Sequence, residues 1–347
     1  MLAFKRTLFM LRSHFTYEAP ESLGQAVNDL MTRENITLLA GGTDLIPLIK
    51  YGVKRPSCLL DLKRISSLKS VALRENGLFI GSMATLAEIA RHPLIHQYLP
   101  ALAESARRVA SPQIRNLATL GGNLLQERRC LYFNQSEFWR KNIAPCLKLG
   151  GEVCHQVLKS QTCRALYYSD TAPVLLSYDA QAEIHDRDGF KVVPLRDMIH
   201  RPIADGNEKF LLTGIVIPHL PEGTWGRFIK SGLRAAIDFA MINMAIRFSP
   251  ASGPKQQVPV LRIFVGALAP EPIALDETAD YLVSNLSKLP SLKEEMKERA
   301  LKEMRAKSAL IRETGISLRS KRNAFHIIPN ALDQLFAKLC ASPVANG

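Results

Sequence analysis

Ile36-Thr37-Leu38-Leu39-Ala40-Gly41-Gly42-Thr43-Asp44 is the stretch on which the reading of this chain turns. Its first half is a short apolar run with the composition of a buried strand. Its second half breaks that run with two glycines, a threonine and an aspartate. Paired glycines permit positive φ and let backbone N–H groups approach a ligand closely. Successive free N–H groups form a concavity suited to an anion such as a pyrophosphate. Thr119-Leu120-Gly121-Gly122-Asn123 repeats the pattern, again after an apolar run. Thr43, Thr119 and Asn123 add side-chain hydrogen-bonding capacity. Neither segment is a Walker A motif or G-x-G-x-x-G, and one Gly-Gly pair is often an ordinary turn. Two of them favour a single dinucleotide clasped from two sides.

Outward from this stretch, Phe15 to Leu48 reads as strand, helix, strand, turn. Ser22 is the expected N-cap, and Leu23, Ala26, Val27 and Leu30 form the apolar stripe. Cys58 to Leu62 is a further strand. Leu78 to Gly81 and a helix from Thr85 to Ala90 open a second region, which continues through a helix near Leu99 to Val109. Asp170 to Asp179 passes from helix towards strand, and Val192 to Ile217 reads as a helix and strands. From Gly226 the pattern changes to strands over Met241–Phe248 and Val260–Ala267, then to long charged amphipathic helices over 275–312 and 324–342. The expected organisation is an N-terminal extension 1–13, a first subdomain 14–62, a second 63–225 and a C-terminal α/β domain 226–347.

With 47% hydrophobic residues in 347, the chain can bury sizeable cores. No stretch approaches the roughly 18 apolar residues of a membrane span. The first 13 residues are basic and apolar but lack a proper signal-peptide core and cleavage site, so the expected location is cytoplasmic. The net charge of +13 is spread in short runs without a nucleic-acid-binding motif. A cationic surface that docks an acidic carrier or subunit fits as well.

Cys130, Cys146, Cys154 and Cys163 crowd one window of a chain with only two other cysteines, Cys58 and Cys340. Four thiolates make a complete ligand set for zinc or for an iron–sulfur cluster. Structural zinc sites usually use C-x2-4-C knuckles, which the C-x15-C-x7-C-x8-C spacing lacks. Evenly spread thiols suit a loop wrapped around a larger cluster, and Tyr132, Phe133, Phe138, Trp139, Tyr167 and Tyr168 are expected to bury it. The alternatives are a zinc site or four structural cysteines.

Ala40 to Asp44, Asp61-Leu62, Ile80-Gly-Ser-Met-Ala-Thr85, Ile114 to Asn123, Ser169-Asp170 and Phe228-Ile-Lys230 occur in that order. Together they resemble the FAD-binding medium subunit of the molybdenum hydroxylases, the group of xanthine dehydrogenase and carbon monoxide dehydrogenase. The resemblance implies an α+β fold of two FAD-binding subdomains, of the vanillyl-alcohol-oxidase type, followed by a C-terminal domain of antiparallel sheet and helices. In ordinary members Ser-Asp follows the second glycine segment closely. Here Asp170 comes 47 positions after Asn123, and the window 124–168 resembles the inserted 4Fe-4S loop of the β subunit of 4-hydroxybenzoyl-CoA reductase. Cys130, Cys146, Cys154 and Cys163 would then be the cluster ligands.

The resemblance implies that Thr37, Leu38, Leu39, Ala40, Gly41, Gly42, Thr43 and Asp44 form the first FAD pyrophosphate loop. Thr119, Leu120, Gly121, Gly122 and Asn123 form the second. Asp170 is placed at the sugar or ribityl part, Leu212 and Lys230 near the isoalloxazine, and Val109 near the adenine. Read alone, Leu212 suits a core, Lys230 a solvated surface and Asp170 a helix cap. The implied partners are a large molybdopterin subunit and a small subunit with two 2Fe-2S clusters, in a dimer of heterotrimers, with a ferredoxin-like donor. No nucleic acid or membrane is expected, and no catalytic residue is assigned to this chain. Arg128, Arg129, Arg140, Lys141, Lys148, Lys159 and Arg164 are expected to attract the acidic donor. The rival readings are a related molybdenum hydroxylase acting on an aromatic or N-heterocycle, and a zinc-stapled nucleic-acid-binding protein.

Overall fold

The computed structural model describes residues 14–157, 160–204, 209–234, 237–252, 258–308, 328–334, 336–337 and 339–340. The expected extension 1–13, Lys159, the end of the 275–312 helix and the start and finish of the 324–342 helix lie outside the described residues.

Strands β1 (Thr16–Glu18), β2 (Ile36–Leu39) and β3 (Cys58–Asp61) form a parallel sheet in the order β1-β3-β2. Parallel neighbours need a crossover, and the helix Leu23–Thr32 links β1 to β2. Ser22 caps it, its Oγ accepting the Gln25 N–H at 3.2 Å. Ala26 and Leu30 pack with Leu60, Leu62, Ile65 and Leu68 under the sheet. After β2 the turn is short and Leu45–Lys50 is helical, with Leu48 and Ile49 buried. A run of six residues is too short for periodicity to declare a helix.

Strands β4 (Val71–Arg74), β5 (Gly77–Gly81), β6 (Gln181–Asp186), β7 (Gly189–Pro194) and β8 (Leu211–Ile217) form an antiparallel sheet in the order β4-β5-β8-β6-β7. Between β5 and β6 the chain leaves the sheet and builds a helical layer, in which Thr171–Ser177 is buried along its whole length.

Strands β9 (Trp225–Ser231), β10 (Ile242–Ser249), β11 (Val260–Gly266) and β12 (Ile273–Ala274) form a third sheet, in the order β12-β11-β10-β9. Its register sets Asn243 opposite Lys230 on one side and Gly266 on the other. The helices Asp276–Ser284 and Lys293–Lys307 cover it through Leu282, Met296 and Met304. The continuous helix expected from 275 is broken by the 3-10 turn Leu286–Ser291, which contains Pro290; a proline has no N–H for a helical ladder. Among the described residues no helix is long and apolar enough to cross a membrane.

Glu303 closes this domain. Its carboxylate accepts the Thr278 N–H at 3.0 Å and the Thr278 hydroxyl at 2.8 Å, and Lys307 Nζ lies 2.6 Å away. It thereby caps the start of Asp276–Ser284 from a different helix. Burial opposes the charge, but the bonds from Lys307 and Thr278 outweigh it and hold the carboxyl below its ordinary range. Glu303→Ala is expected to cost about 2 to 3 kcal/mol, since it strands buried donors. Because the folded-state value is depressed, this contribution is present above the unfolded-state pKa and fades as pH falls through the folded one. Urea titrations of wild type and variant at neutral and acid pH check both points; equal midpoints at neutral pH would refute the role.

Candidate functional site

The two glycine segments meet. A cleft of about 560 Å³ is lined by Thr37, Leu38, Ala40, Gly41, Gly42, Thr43 and Asp44 from one side, and by Thr119, Gly121, Gly122 and Asn123 from the other. Val109, Asp170, Leu212 and Lys230 complete its wall with Ser82, Met83, Arg129, Tyr168 and Phe239. Leu39 and Leu120 stand outside it. Leu39 packs with Ile49 and Leu59, and Leu120 is fully buried in the central core; both anchor their segments rather than face the cleft.

The segments do different physical work. Gly42 has φ +74°, and an added methyl on Gly41 would fall 1.9 Å from the Leu117 carbonyl oxygen, so the first segment is a tight backbone wedge against the approach to the second. Among the described residues, no hydrogen bond is made by the N–H groups of Gly41, Gly42, Thr43 or Asp44. Four free donors in succession are an anion-binding concavity. The second segment is not. Thr119–Leu124 is a capped helical turn whose Thr119 Oγ1 accepts the Gly122 N–H at 3.1 Å, and the Gly121 N–H donates to Ser82 O at 2.8 Å. Neither of its glycines has positive φ; they are there for close packing, Gly121 against Ser82. The Asn123 side chain is likewise engaged, its Oδ1 accepting the hydroxyls of Ser169 at 2.6 Å and Thr171 at 2.7 Å.

Asp44 bonds across the cleft's end rather than into it. Its carboxylate accepts the Glu127 N–H at 3.1 Å and pairs with Arg129 at 2.6 Å. The Arg129 guanidinium also lies 4.7 Å from the Phe239 ring, which meets Tyr168 edge-on. Among the described residues, two buried polar atoms on the cleft residues have no partner, Ser82 Oγ and Arg129 Nε. Buried polar atoms of this kind beside a concavity are ones that a ligand or an ordered water can satisfy.

Asp170 does not cap the helix it precedes. Ser169 Oγ accepts the Ala172 N–H instead. One oxygen of Asp170 lies 2.6 Å from Lys230 Nζ and the other 2.7 Å from Asn243 Nδ2. Burial pushes the carboxyl up, against the pull of Lys230, Asn243 and Arg108. Lys230 is 8% exposed and also donates to Arg108 O, so it is no solvated surface lysine. Leu212 is a core residue with one face on the cleft. Asn243, Arg129 and Phe239 carry no glycine or spacing signal that would have picked them out as members of the site.

The cysteine window springs from the cleft wall. Arg129 and Leu166 exchange both backbone hydrogen bonds, at 2.8 and 2.9 Å, so the excursion 130–165 leaves and returns at one neck. It docks on the first subdomain through Arg55–Glu137 and Arg140 to Gly52 O, and Lys54–Glu127 ties the chain just before the neck. Cys146 and Cys154 are buried, and Cys130 and Cys163 partly so. Burial raises the Cys130 thiol; backbone N–H groups of Phe133 and Tyr132 pull it down, and Cys163 and Cys154 push it up again. As placed, the described residues form no group of three or more side chains able to hold a metal ion.

One expectation for the window fails at one residue. Phe138 is 77% exposed and buries nothing. Of the basic residues, Arg129, Lys141 and Lys148 pair with Asp44, Glu137 and Glu127, whereas Arg128, Arg140 and Arg164 bond to carbonyl or hydroxyl oxygens and keep their charge. Lys159 lies outside the described residues.

Residues 13–220 match the family described as FAD binding domain in molybdopterin dehydrogenase. The chain is 31% identical over 288 residues to the FAD-binding subunit of an Escherichia coli aldehyde oxidoreductase, covering 78% of this chain and 86% of that one. It is 27% identical over 285 residues to a putative xanthine dehydrogenase FAD-binding subunit of the same organism, covering 80% and 84%. Its fold matches a chain of the reconstituted CO dehydrogenase from Oligotropha carboxidovorans with a TM-score of 0.69, at 23% identity, over 93% of this chain and 98% of that one.

Proposed function

We infer the function from this premise: the chain belongs to the family of FAD-binding domains of molybdopterin dehydrogenases, and it is an FAD-binding oxidoreductase subunit of the molybdenum hydroxylase type. The finer reading is that it is the FAD and 4Fe-4S electron-transfer subunit of a 4-hydroxybenzoyl-CoA reductase. In that enzyme molybdenum chemistry in a partner subunit removes the phenolic hydroxyl reductively, giving benzoyl-CoA and water. The observation that carries the reading is the cysteine excursion rooted at Arg129, a residue of the cleft wall.

The residues fit FAD. The free N–H groups of Gly41 to Asp44 suit its pyrophosphate, and Ser82 Oγ is a hydroxyl waiting for a partner. Val109 is assigned to the adenine end, Asp170 to the ribityl or sugar part, and Leu212 and Lys230 to the isoalloxazine. Thr119 to Asn123 hold the facing wall rather than donate N–H groups. Bound FAD supplies the exchange between one-electron and two-electron transfer. The chain's part is to orient it, exclude water with Leu212, Met83 and Val109, and keep Asp170 and Lys230 paired beside it.

Cys130, Cys146, Cys154 and Cys163 fit an iron–sulfur cluster in donor chemistry, and the backbone N–H groups aimed at Cys130 are of the kind that tune cluster sulfurs. Because as placed the described residues form no metal-holding group, holding a cluster would require the loop to draw together, as metal binding commonly couples to local folding. A large molybdopterin subunit, a small subunit with two 2Fe-2S clusters and a ferredoxin-like donor are the proposed partners. The zinc-stapled nucleic-acid-binding reading has no support in the comparisons.

The deciding experiment is anaerobic purification followed by an absorbance spectrum with flavin and iron assays. One FAD and about four irons per chain are expected. FAD without iron would leave a flavin subunit of a related molybdenum hydroxylase; neither cofactor would overturn the reading.

A further inference from the structure

Lys230, Asn243 and Gly266 lie in one row across β9, β10 and β11, each opposite the next in the ladder. We propose that Asn243 is the positioning residue that aims the Asp170–Lys230 pair into the cleft, and that Gly266 is a glycine to make room for it. The proposal rests on the FAD reading of that cleft.

Asn243 does not line the cleft and is fully buried. Its Nδ2 donates to Asp170 Oδ1 at 2.7 Å and to the Ser169 carbonyl at 3.2 Å. Both partners are acceptors only, so the amide must present its NH₂ to them. Its Oδ1 is thereby turned towards Gly266, where it has no hydrogen-bond partner among the described residues. An alanine methyl at 266 would fall 2.1 Å from that Oδ1 and 3.0 Å from Pro173 Cγ. A buried acceptor left without a donor is costly, and an apolar residue would fill this sheet position without that penalty. Holding Asp170 explains the expense.

The groups facing Asp170 are Lys230 from β9, Asn243 from β10 and Arg108 from the end of the helix Pro100–Arg107. Lys230 and Asn243 take one carboxylate oxygen each. With Asn243 gone, the carboxylate is free to rotate about Cβ and to lose its pairing geometry with Lys230.

The test uses the full chain loaded with FAD. Asn243→Asp keeps the volume but replaces the NH₂ donor. At acid pH the 243 and 170 carboxyls share a proton and reproduce the bond; at alkaline pH both ionise and repel. FAD affinity of N243D, followed by flavin fluorescence, is expected to fall about tenfold or more between about pH 5.5 and about pH 8.5, while wild type changes little. Gly266→Ala displaces Asn243 without touching any charge, and is expected to weaken FAD about tenfold at every pH and to shift the bound flavin's visible spectrum. Wild-type stoichiometry is the control: a wild type that binds no FAD refutes the FAD reading itself. A flavin-binding wild type whose pH profile and spectrum both variants reproduce overturns the positioning role. If N243D does not fold, G266A decides alone by the same criterion.

Discussion

Gly41→Ala is expected to abolish stoichiometric FAD binding, although it adds a single methyl group. The ideal methyl position is 1.9 Å from Leu117 O, 2.7 Å from Leu117 C and 3.1 Å from Ala118 Cα. All three obstacles are backbone, so no rotamer change relieves them. The two segments that form the cleft must move apart, and the N–H groups of Gly41 to Asp44 lose their common focus. Overpacking of this kind costs about 1 to 3 kcal/mol or more, and each 1.4 kcal/mol is about tenfold in affinity. Gly42→Val acts in the same direction through φ +74° and the side chains of Ile46 and Leu39 at 3.2 and 3.3 Å, because a β-branched residue is a poor occupant of that region. Gly122→Val is milder, since its first contact is the Thr119 hydroxyl at 3.1 Å. Gly24→Ala, with nothing within 4 Å, is the control. Flavin-to-protein ratios after gel filtration measure the effect, with circular dichroism to confirm folding. A folded Gly41→Ala chain that keeps its flavin would show that the cleft is not the FAD site.

The second large effect is expected at the thiols. Cys130→Ser, Cys146→Ser, Cys154→Ser and Cys163→Ser should each lose most of about four irons per chain while retaining FAD. The separation follows from the neck. Arg129 and Leu166 close the excursion by mutual backbone bonds, and Asp44 is fixed by Arg129 and by the Glu127 N–H. None of these contacts involves a cysteine. Iron is measured by colorimetric assay and flavin by absorbance on the same samples. Unchanged iron in all four variants would remove the ligand assignment. Loss of FAD together with iron would show that the excursion and the cleft fold as one unit.

The glycine segments were legible because their chemistry is local: apolar run, two glycines, polar side chain. That reading found the cleft, yet gave both segments the same job. Only the first presents free N–H groups. The second is a capped turn, since Thr119 supplies the very acceptor that consumes the Gly122 donor. Asn243 was invisible for a different reason. Its meaning lies in cross-strand register, and nothing in Ile242-Asn243-Met244 says that Lys230 and Gly266 are its neighbours. The charges in and beside the excursion were legible only as a count, which does not show that Lys148, Lys141 and Arg129 pair with Glu127, Glu137 and Asp44. Leu45–Lys50 was missed as a helix because its burial comes from tertiary contact of Leu48 and Ile49, not from a repeating stripe.

The neck at Arg129 and Leu166 also has a meaning in polymer terms. A loop whose ends are pinned together pays a closure entropy that grows only with the logarithm of its length, about 0.6 kcal/mol for each doubling. By this term alone, halving the segment 130–165 would return only about 0.6 kcal/mol to the rest, before its contacts with Arg55 and Gly52 are counted. Closure entropy by itself is nearly indifferent to how much chain hangs from that point. The length of the detour is therefore set by its own contacts and its four cysteines rather than by the cost of closing it.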